Sequence, residues 1–338
     1  MNVSKEISFY MNNLNSIVII GFSEKLNELV KYNDSLNVKT LIITSPDQKK
    51  YINNKLEYFV FEKLNTNFIN FIKKKVNIEN TLFISLGARY IFNKNIIKKV
   101  FRNKLINFHS TRLPFDAGSG GYSWRILKGD RINNQLVHLV DENVDSGPII
   151  DFETNLFPSC CKIPKDFNEF SENKFVLFYK KFIKKIISNH KFILKHQTNY
   201  IGSYTPRLNT KINGFIDWGM DSHDLFKFIN AFDDPYDGAS TYLNNRKIGK
   251  VFIKSVHLHG GEILGHPFMS GIVSRHNGDW LVVNTNGKYS LIIEKVLNIK
   301  GKNIISEIKV GDRFFTPHSK LDFAKNKRIF YSSKGLKK

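Results

Sequence analysis

The sequence predicts an α/β fold class: a doubly wound, mostly parallel sheet with a smaller C-terminal β-rich, barrel-like domain. Three observations predict it. Short apolar runs alternate with helix-periodic segments through the first half of the chain, the pattern of parallel strands joined by helical crossovers. A long amphipathic segment follows, with Phe175, Phe178, Tyr179, Phe182, Ile183, Ile186 and Ile187 at three- and four-residue intervals. After Ala239 the pattern changes to short strands broken by Gly and Asn-Gly turns.

Taken in order, "SIVIIGF" reads as a buried strand ending at Gly21, and "SEKLNELVKY" as a helix with Ser23 as its N-cap. "VKTLIITS" is a second strand, "FINFIKKK" a helix, "TLFISLGARYI" a strand, "NKNIIKKVF" a short helix and "KLINFH" a strand. "QLVHLVD" and "GPIIDFE" are two further strands joined by "ENVDS". This order is Rossmann-like, but "GFSEKLN" after the first strand lacks the G-x-G-x-x-G of dinucleotide binding, so the fold does not imply NAD. The aromatic stripe of the long helix reads as core rather than as a cofactor box. "SHDLFKFINAF" is a short helix ending in the turn-rich "DDPYDGA". "STYLNN", "KVFIKSVHL", "SGIVSR", "WLVVNT" and "YSLIIEKVL" are the strands of the smaller domain, with "NTNGKY" as a hairpin turn. The domain division expected is 1–200 for the larger domain, 201–238 for a connecting segment with a short helix, 239–320 for the β domain and 321–338 for a basic tail.

The 338 residues suffice for two domains, and 41% hydrophobic with 24% charged residues is ordinary globular composition. No apolar run approaches the ~20 residues of a membrane span, and the N-terminus lacks the apolar core of an export signal. Cys160 and Cys161 are adjacent and cannot build a disulfide framework, which fits a cytoplasmic location. The net charge of +21 attracts phosphate, whether on RNA, a nucleotide-linked substrate or a membrane face, and is equally read as a lysine-coated solvated surface. Part of it lies in the tail, where partial disorder is expected.

The chemistry-bearing stretch is "INFHSTRLPFDAGSGGYSW". Asn107 and His109, at i and i+2, project on one side of a strand end. Asp145 lies in "VDENVDSGPII", between two apolar runs. Ligands of open α/β sheets gather at such strand ends. An amide to stabilise an oxyanion, an imidazole to donate or move a proton and a carboxylate to orient it suit attack on an acyl group. No Ser or Cys nucleophile is needed when the attacking group is an amine on the substrate. From these residues alone a polar turn at a strand end stays open as the alternative. His257, His259 and His266 in "HLHGGEILGH" place two imidazoles on one strand face; this chemistry requires no metal, and a structural or solvated role is the reading taken.

"NFHSTRLPFDAG" followed by "DENVDSGPII" resembles the signature of the formyltransferases that use N10-formyltetrahydrofolate: Asn-x-His, a small residue, Leu-Pro, a glycine, then Asp-x-Gly-x-Ile. The matching residues are Asn107, His109, Leu113, Pro114, Gly118, Asp145, Gly147 and Ile149. "SYTPRL", "GFIDW" and "DDPYDGA" resemble the segment that links the two domains of the larger members, so the resemblance covers residues 80–245 best. It implies formyl transfer from the folate N10 to an amine, with Asn107, His109 and Asp145 as the catalytic residues. It implies a pterin held by Ser85, Gly87, Arg89, Tyr90, Ile91, Val140, Asp141 and Val144, largely through main-chain groups, with no metal. Ser85 and Arg89 retain a bland alternative as a strand end and a solvated charge.

Methionyl-tRNA formyltransferases usually carry Ser-Leu-Leu-Pro-x-x-Arg-Gly, and here the arginine is replaced by Ala117. The altered loop and two-domain length favour a nucleotide-linked amino sugar as acceptor, as in the synthesis of bacterial surface polysaccharides such as lipopolysaccharide O-antigen. Arg112, Gly118, Tyr122 and Trp124 are the candidate acceptor-binding residues, and Arg112 and Arg125 are the candidates to replace the lost arginine, with solvated surface charge as the alternative for both. Tyr122 and Trp124 are equally read as loop anchors packed into a core. The alternatives carried are transfer to methionyl-tRNA and a non-catalytic RNA-binding relative. The partners expected are folate and a nucleotide-linked amino sugar, with nucleic acid not required, no membrane span and a homodimer admissible.

Overall fold

The apolar runs of the first half form one seven-stranded sheet. Its elements are β1 (Ser16–Gly21), α1 (Leu26–Ser35), β2 (Lys39–Thr44), β3 (Tyr58–Val60), α2 (Thr66–Lys75), β4 (Thr81–Leu86), β5 (Leu105–His109), α3 (Tyr122–Lys128), β6 (Ile132–Leu139), β7 (Ile149–Leu156) and α4 (Pro164–Ile187), of which α3 lies outside the sheet's unit. The strand order is β3-β2-β1-β4-β5-β6-β7. Strands β1 to β5 are parallel, while β6 and β7 join antiparallel. The computed structural model describes residues 7–118, 121–198, 203–244, 248–260, 266–332 and 335–336.

The chain divides into two units. The first is Met1–Ala117, Ile132–Leu156 and Ser171–Tyr204; the second is Gly118–Arg131, Phe157–Phe170 and Thr205–Lys338. In the first, β1 and β4 are buried along their whole length, which is why they read as unbroken apolar runs. The strand order reverses between β1 and β4, and Gly21 sits there at φ +116°. A Cβ at Gly21 would lie 2.1 Å from the Leu86 carbonyl oxygen, so only glycine lets the two strand ends approach.

Ser23 is not the N-cap of α1. The helix begins at Leu26 with Lys25 at the cap position, and the Ser23 hydroxyl instead accepts from the Lys25 N–H at 3.1 Å. The serine closes a local turn, a role such side chains share with capping. The aromatic stripe of α4 is core. Phe108 of β5 meets Phe175, Phe178 and Phe182 edge-on at 5.6, 5.8 and 5.5 Å between ring centres. Tyr179 is fully buried and donates to Asn33 Oδ1 at 3.0 Å. Ile187, at the end of the stripe, is exposed.

The second unit is built on a six-stranded antiparallel sheet curled into a half-barrel. Its elements are α5 (Ser222–Ala231), β8 (Ala239–Leu243), β9 (Lys250–His259), β10 (Val273–His276), β11 (Leu281–Val283), β12 (Ser290–Asn298), β13 (Phe314–Phe315) and α6 (His318–Asn326), with strand order β10-β11-β12-β9-β8-β13. "NTNGKY" connects β11 to β12 as the hairpin expected. Trp218 stacks on Phe314 at 5.7 Å within this core. The basic tail opens inside α6; residues 333–334 and 337–338 lie outside the described residues.

Candidate active site

Strand β5 delivers Asn107 and His109 at its carboxyl end, beside the carboxyl end of β4, where Ser85 pairs with Asn107. The antiparallel neighbour β6 sets His138 directly opposite Asn107. The β6–β7 connection returns Asp145 to the same place. His109 Nε2 is 3.9 Å from Asp145 Oδ2, and His138 Nε2 is 3.7 Å from Asp145 Oδ1. Asn107 Nδ2 is 3.1 Å from His138 Nε2. Four polar side chains thus converge: an amide, two imidazoles and a carboxylate.

The loop is made to fit. Asp145 adopts φ +54°, a left-handed conformation that Asp tolerates better than most residues. A Cβ at Gly147 would lie 1.9 Å from the Leu139 carbonyl oxygen, so the Asp-x-Gly pattern reflects close packing of the loop on the end of β6. Gln197 Nε2 donates to the carbonyls of Asp145 and Gly147 at 2.9 and 2.6 Å. Burial pushes the Asp145 carboxyl up, but the His138 and His109 imidazoles outweigh it and hold it below the ordinary carboxylate value.

His138 and Gln197 escaped the sequence reading. His138 is 2% exposed and stands between Val137 and Leu139 in "QLVHLVD"; a histidine between apolar residues of a strand was the available signal. Gln197 lies in a loop and gave none.

Ser85 is buried at the end of β4. The Gly87 carbonyl accepts from Gln48 Nε2 at 2.9 Å. Arg89 pairs with Asp47 at 3.4 Å, with both side chains half exposed. Tyr90 donates to the Phe61 carbonyl at 2.6 Å, and burial pushes its phenol up, which marks it as an anchor of its own loop. Val140 donates its N–H to the Leu105 carbonyl. Asp141 accepts from the Ser146 hydroxyl at 2.6 Å and from the Asn143 N–H at 3.0 Å. Ile91 and Val144 are 86% and 85% exposed. Beside this loop lies a cavity of about 320 Å³ lined by Leu139, Val140, Asp141, Ile97, Lys94 and Pro148 among others.

Arg112 is 3.3 Å from Asp116 and covers the Phe115 ring. Gly118, Tyr122 and Trp124 belong to the second unit. Tyr122 packs on the rings of Phe157 and Phe167, and Trp124 Nε1 donates to the Pro206 carbonyl at 2.7 Å. Of the two roles left open for this pair, the structure displays the anchoring one. Arg125 is buried against Asp130 at 3.0 Å and so is not a solvated charge. In the β domain His257 pairs with Glu294 at 3.5 Å and His266 caps the short turn Pro267–Met269. Among the described residues no group of His, Cys, Asp and Glu could hold a metal ion, and no helix is long and apolar enough to cross a membrane.

A doubly wound sheet with a polar cluster at its strand ends and an antiparallel second unit define an α/β protein of two units. Residues 24–155 match the formyl transferase family and residues 209–308 match the formyl transferase C-terminal domain, and the chain belongs to this family. It is 25% identical over 312 residues to a methionyl-tRNA formyltransferase of Prochlorococcus marinus subsp. pastoris, covering 85% of this chain and 92% of the relative. Its fold is similar to an N-formyltransferase from Helicobacter canadensis solved with folinic acid and dTDP-3-aminofucose, with TM-score 0.60 and 18% identity over 83% of this chain and 99% of that one. It is also similar to WlaRD, a sugar 3N-formyl transferase solved with dTDP and 5-N-formyl-THF, with TM-score 0.57 and 21% identity over 84% of this chain and 98% of that one.

Proposed function

We propose that the protein transfers the formyl group of N10-formyltetrahydrofolate to the amino group of a nucleotide-linked amino sugar. The observation that carries the chemistry is the convergence of Asn107, His109 and Asp145, with His109 Nε2 3.9 Å from the carboxylate. The amine attacks the formyl carbon; a C–N bond forms and the C–N10 bond breaks. Asn107 and His109 donate to the formyl oxygen as it gains charge. Asp145, held ionised, takes up the amine proton and holds the His109 imidazole, and the proton passes to the leaving N10. The donor fits the residues present: the cavity beside Val140 and Asp141 has an apolar floor of Ile97, Leu139 and Pro148. The exposed Ile91 and Val144 give a pteridine two apolar surfaces. By this reading Ser85, Gly87 and Tyr90 shape the donor loop, and Arg112 is the acceptor contact nearest in sequence to the trio.

The sugar acceptor is supported by the altered Leu-Pro loop, where Ala117 stands in place of an arginine, and by the fold similarity to sugar N-formyltransferases. Methionyl-tRNA remains the second reading, on the strength of the methionyl-tRNA relative and the +21 charge. Pure protein incubated with 10-formyltetrahydrofolate and a panel of nucleotide-linked amino sugars, beside charged initiator tRNA, separates them. Formylation of a sugar nucleotide is expected; rapid formylation of the tRNA and of nothing else overturns the sugar reading.

A further inference from the structure

Strand β6 lies between β5 and the edge strand β7 and is buried at its six inner residues, yet its sequence is "INNQLVHL". Strands buried on both faces are ordinarily near-continuous apolar runs. Here Asn133, Asn134, Gln135 and His138 are all at least nine-tenths buried. Burying such groups is costly unless every one is hydrogen-bonded, so their partners show what they are for.

Residues of β6 alternate between faces. His138 shares the face of Asn107 and His109. Asn133 and Gln135 lie on the opposite face, which carries Val137 into the core beneath α4. There Gln135 Nε2 donates to the Ser171 carbonyl at 3.1 Å and its hydroxyl at 2.9 Å, and Asn133 Nδ2 donates to the same hydroxyl at 3.0 Å. Gln135 Oε1 is left to accept, and it accepts from the Ser110 hydroxyl at 3.2 Å. The amide orientation is thereby fixed, because a carbonyl can only accept and Oε1 can only accept.

Ser110 follows His109 directly. The ladder between β5 and β6 ends at the pair His109–Leu136, and the next position in register sets Ser110 against Gln135. The side-chain bond therefore extends the pairing one residue past the last ladder pair, on the face turned away from the reaction. It clamps the chain where β5 gives way to the "STRLPF" loop.

We propose that Gln135 and Ser110 are positioning residues for His109: a buried clamp, anchored on Ser171 of α4, that fixes the backbone from which the imidazole projects. This rests on the catalytic reading of His109. The clamp touches no reacting group and acts through geometry alone, where a displacement of about 1 Å costs about 100-fold in rate.

The test compares Ser110→Ala and Gln135→Leu with Thr154→Val. Thr154 donates to Asn134 Oδ1 at 2.7 Å on the other face of the same strand, so its loss removes a comparable bond with no link to Ser110. Formyl transfer from 10-formyltetrahydrofolate to the acceptor identified in the panel is measured. Ser110→Ala and Gln135→Leu should lower kcat about 10- to 100-fold with KM for the donor within about twofold. Ser110→Thr, which keeps the hydroxyl, should restore kcat, and Thr154→Val should leave it unchanged. Amide hydrogen exchange across residues 107–113 of the full chain, without substrate, should quicken at least tenfold in Ser110→Ala and not in Thr154→Val. Unchanged exchange, or an equal loss of kcat in Thr154→Val, overturns the clamp. His109→Ala is run beside them: if it retains full turnover the catalytic reading itself fails, whereas loss there with full activity in Ser110→Ala removes only the positioning role.

Discussion

Asn107 Nδ2 lies 3.1 Å from His138 Nε2, and the direction of that hydrogen bond is dictated by the far side of the ring. His138 Nδ1 is 2.8 Å from the Leu139 carbonyl, which can only accept, so Nδ1 carries a proton. In a neutral ring Nε2 offers its lone pair and the Asn107 amide donates to it; in a protonated ring Nε2–H faces Asp145 Oδ1, 3.7 Å away, the contact that lowers the Asp145 carboxyl. With the ring neutral, one N–H of Asn107 is spent on His138, the side chain is held with its nitrogen in a fixed place, and the second N–H is left to meet a developing oxyanion.

Replacing His138 by Leu removes the acceptor that orients Asn107. We expect kcat to fall about 10- to 100-fold by loss of orientation, and stability to fall about 1–3 kcal/mol through the unsatisfied amide. His138→Gln, whose carbonyl can accept, should recover part of both. Steady-state kinetics and urea unfolding check the pair.

The depressed Asp145 carboxyl has a defined signature in pH. A group whose pKa is lower folded than unfolded stabilises the fold above its unfolded value, about 3.9 for Asp, and that stability is lost as pH falls through the folded value. Urea midpoints measured from pH 6 down to pH 3 should therefore fall more steeply for the wild type than for Asp145→Asn. Because the Asp145 carboxylate stays ionised through neutral pH, its protonation should not limit kcat/KM there.

Gly147→Ala should push the loop off the end of β6, since the added carbon has no room beside the Leu139 carbonyl. Overpacking of this kind costs about 1–3 kcal/mol. Activity should fall by more than stability explains, because Asp145 moves with the loop. Thermal melting with kinetics on one preparation shows whether the two losses separate.

Loss of Lys254, a buried cation of the second unit, should be severe. Lys254 Nζ contacts Asp234, lies 3.6 Å from the buried Asp233, and donates to the Tyr236 carbonyl at 2.7 Å. Lys254→Met leaves the Asp233 carboxylate buried without its cation, which typically costs about 3–5 kcal/mol. Chemical unfolding of the full chain measures it.

What was legible in the sequence followed from burial. β1 and β4 are enclosed on both faces and β2 over its last four residues, so their cores appear as apolar runs, and "NTNGKY" declared its hairpin through turn chemistry. Asn107, His109 and Asp145 were legible because they share a loop signature. His138 was not, because its role depends on antiparallel register, which brings residue 138 opposite residue 107: the polar residue in the strand was visible, its partner was not. Register also hid the clamp of Ser110 on Gln135. Tyr122 and Trp124 stayed open between ligand-facing and anchoring roles because a ring packed on Phe157 and a ring stacked on a sugar are the same residue type in a sequence.

The central claim, that an imidazole and a carboxylate at the end of β5 drive formyl transfer, is tested most directly by turnover of His109→Ala on the identified acceptor. A fall in kcat of about 10²- to 10⁴-fold, with the melting temperature shifted by no more than about 4 °C, is the result predicted. Wild-type turnover in that variant would contradict the account.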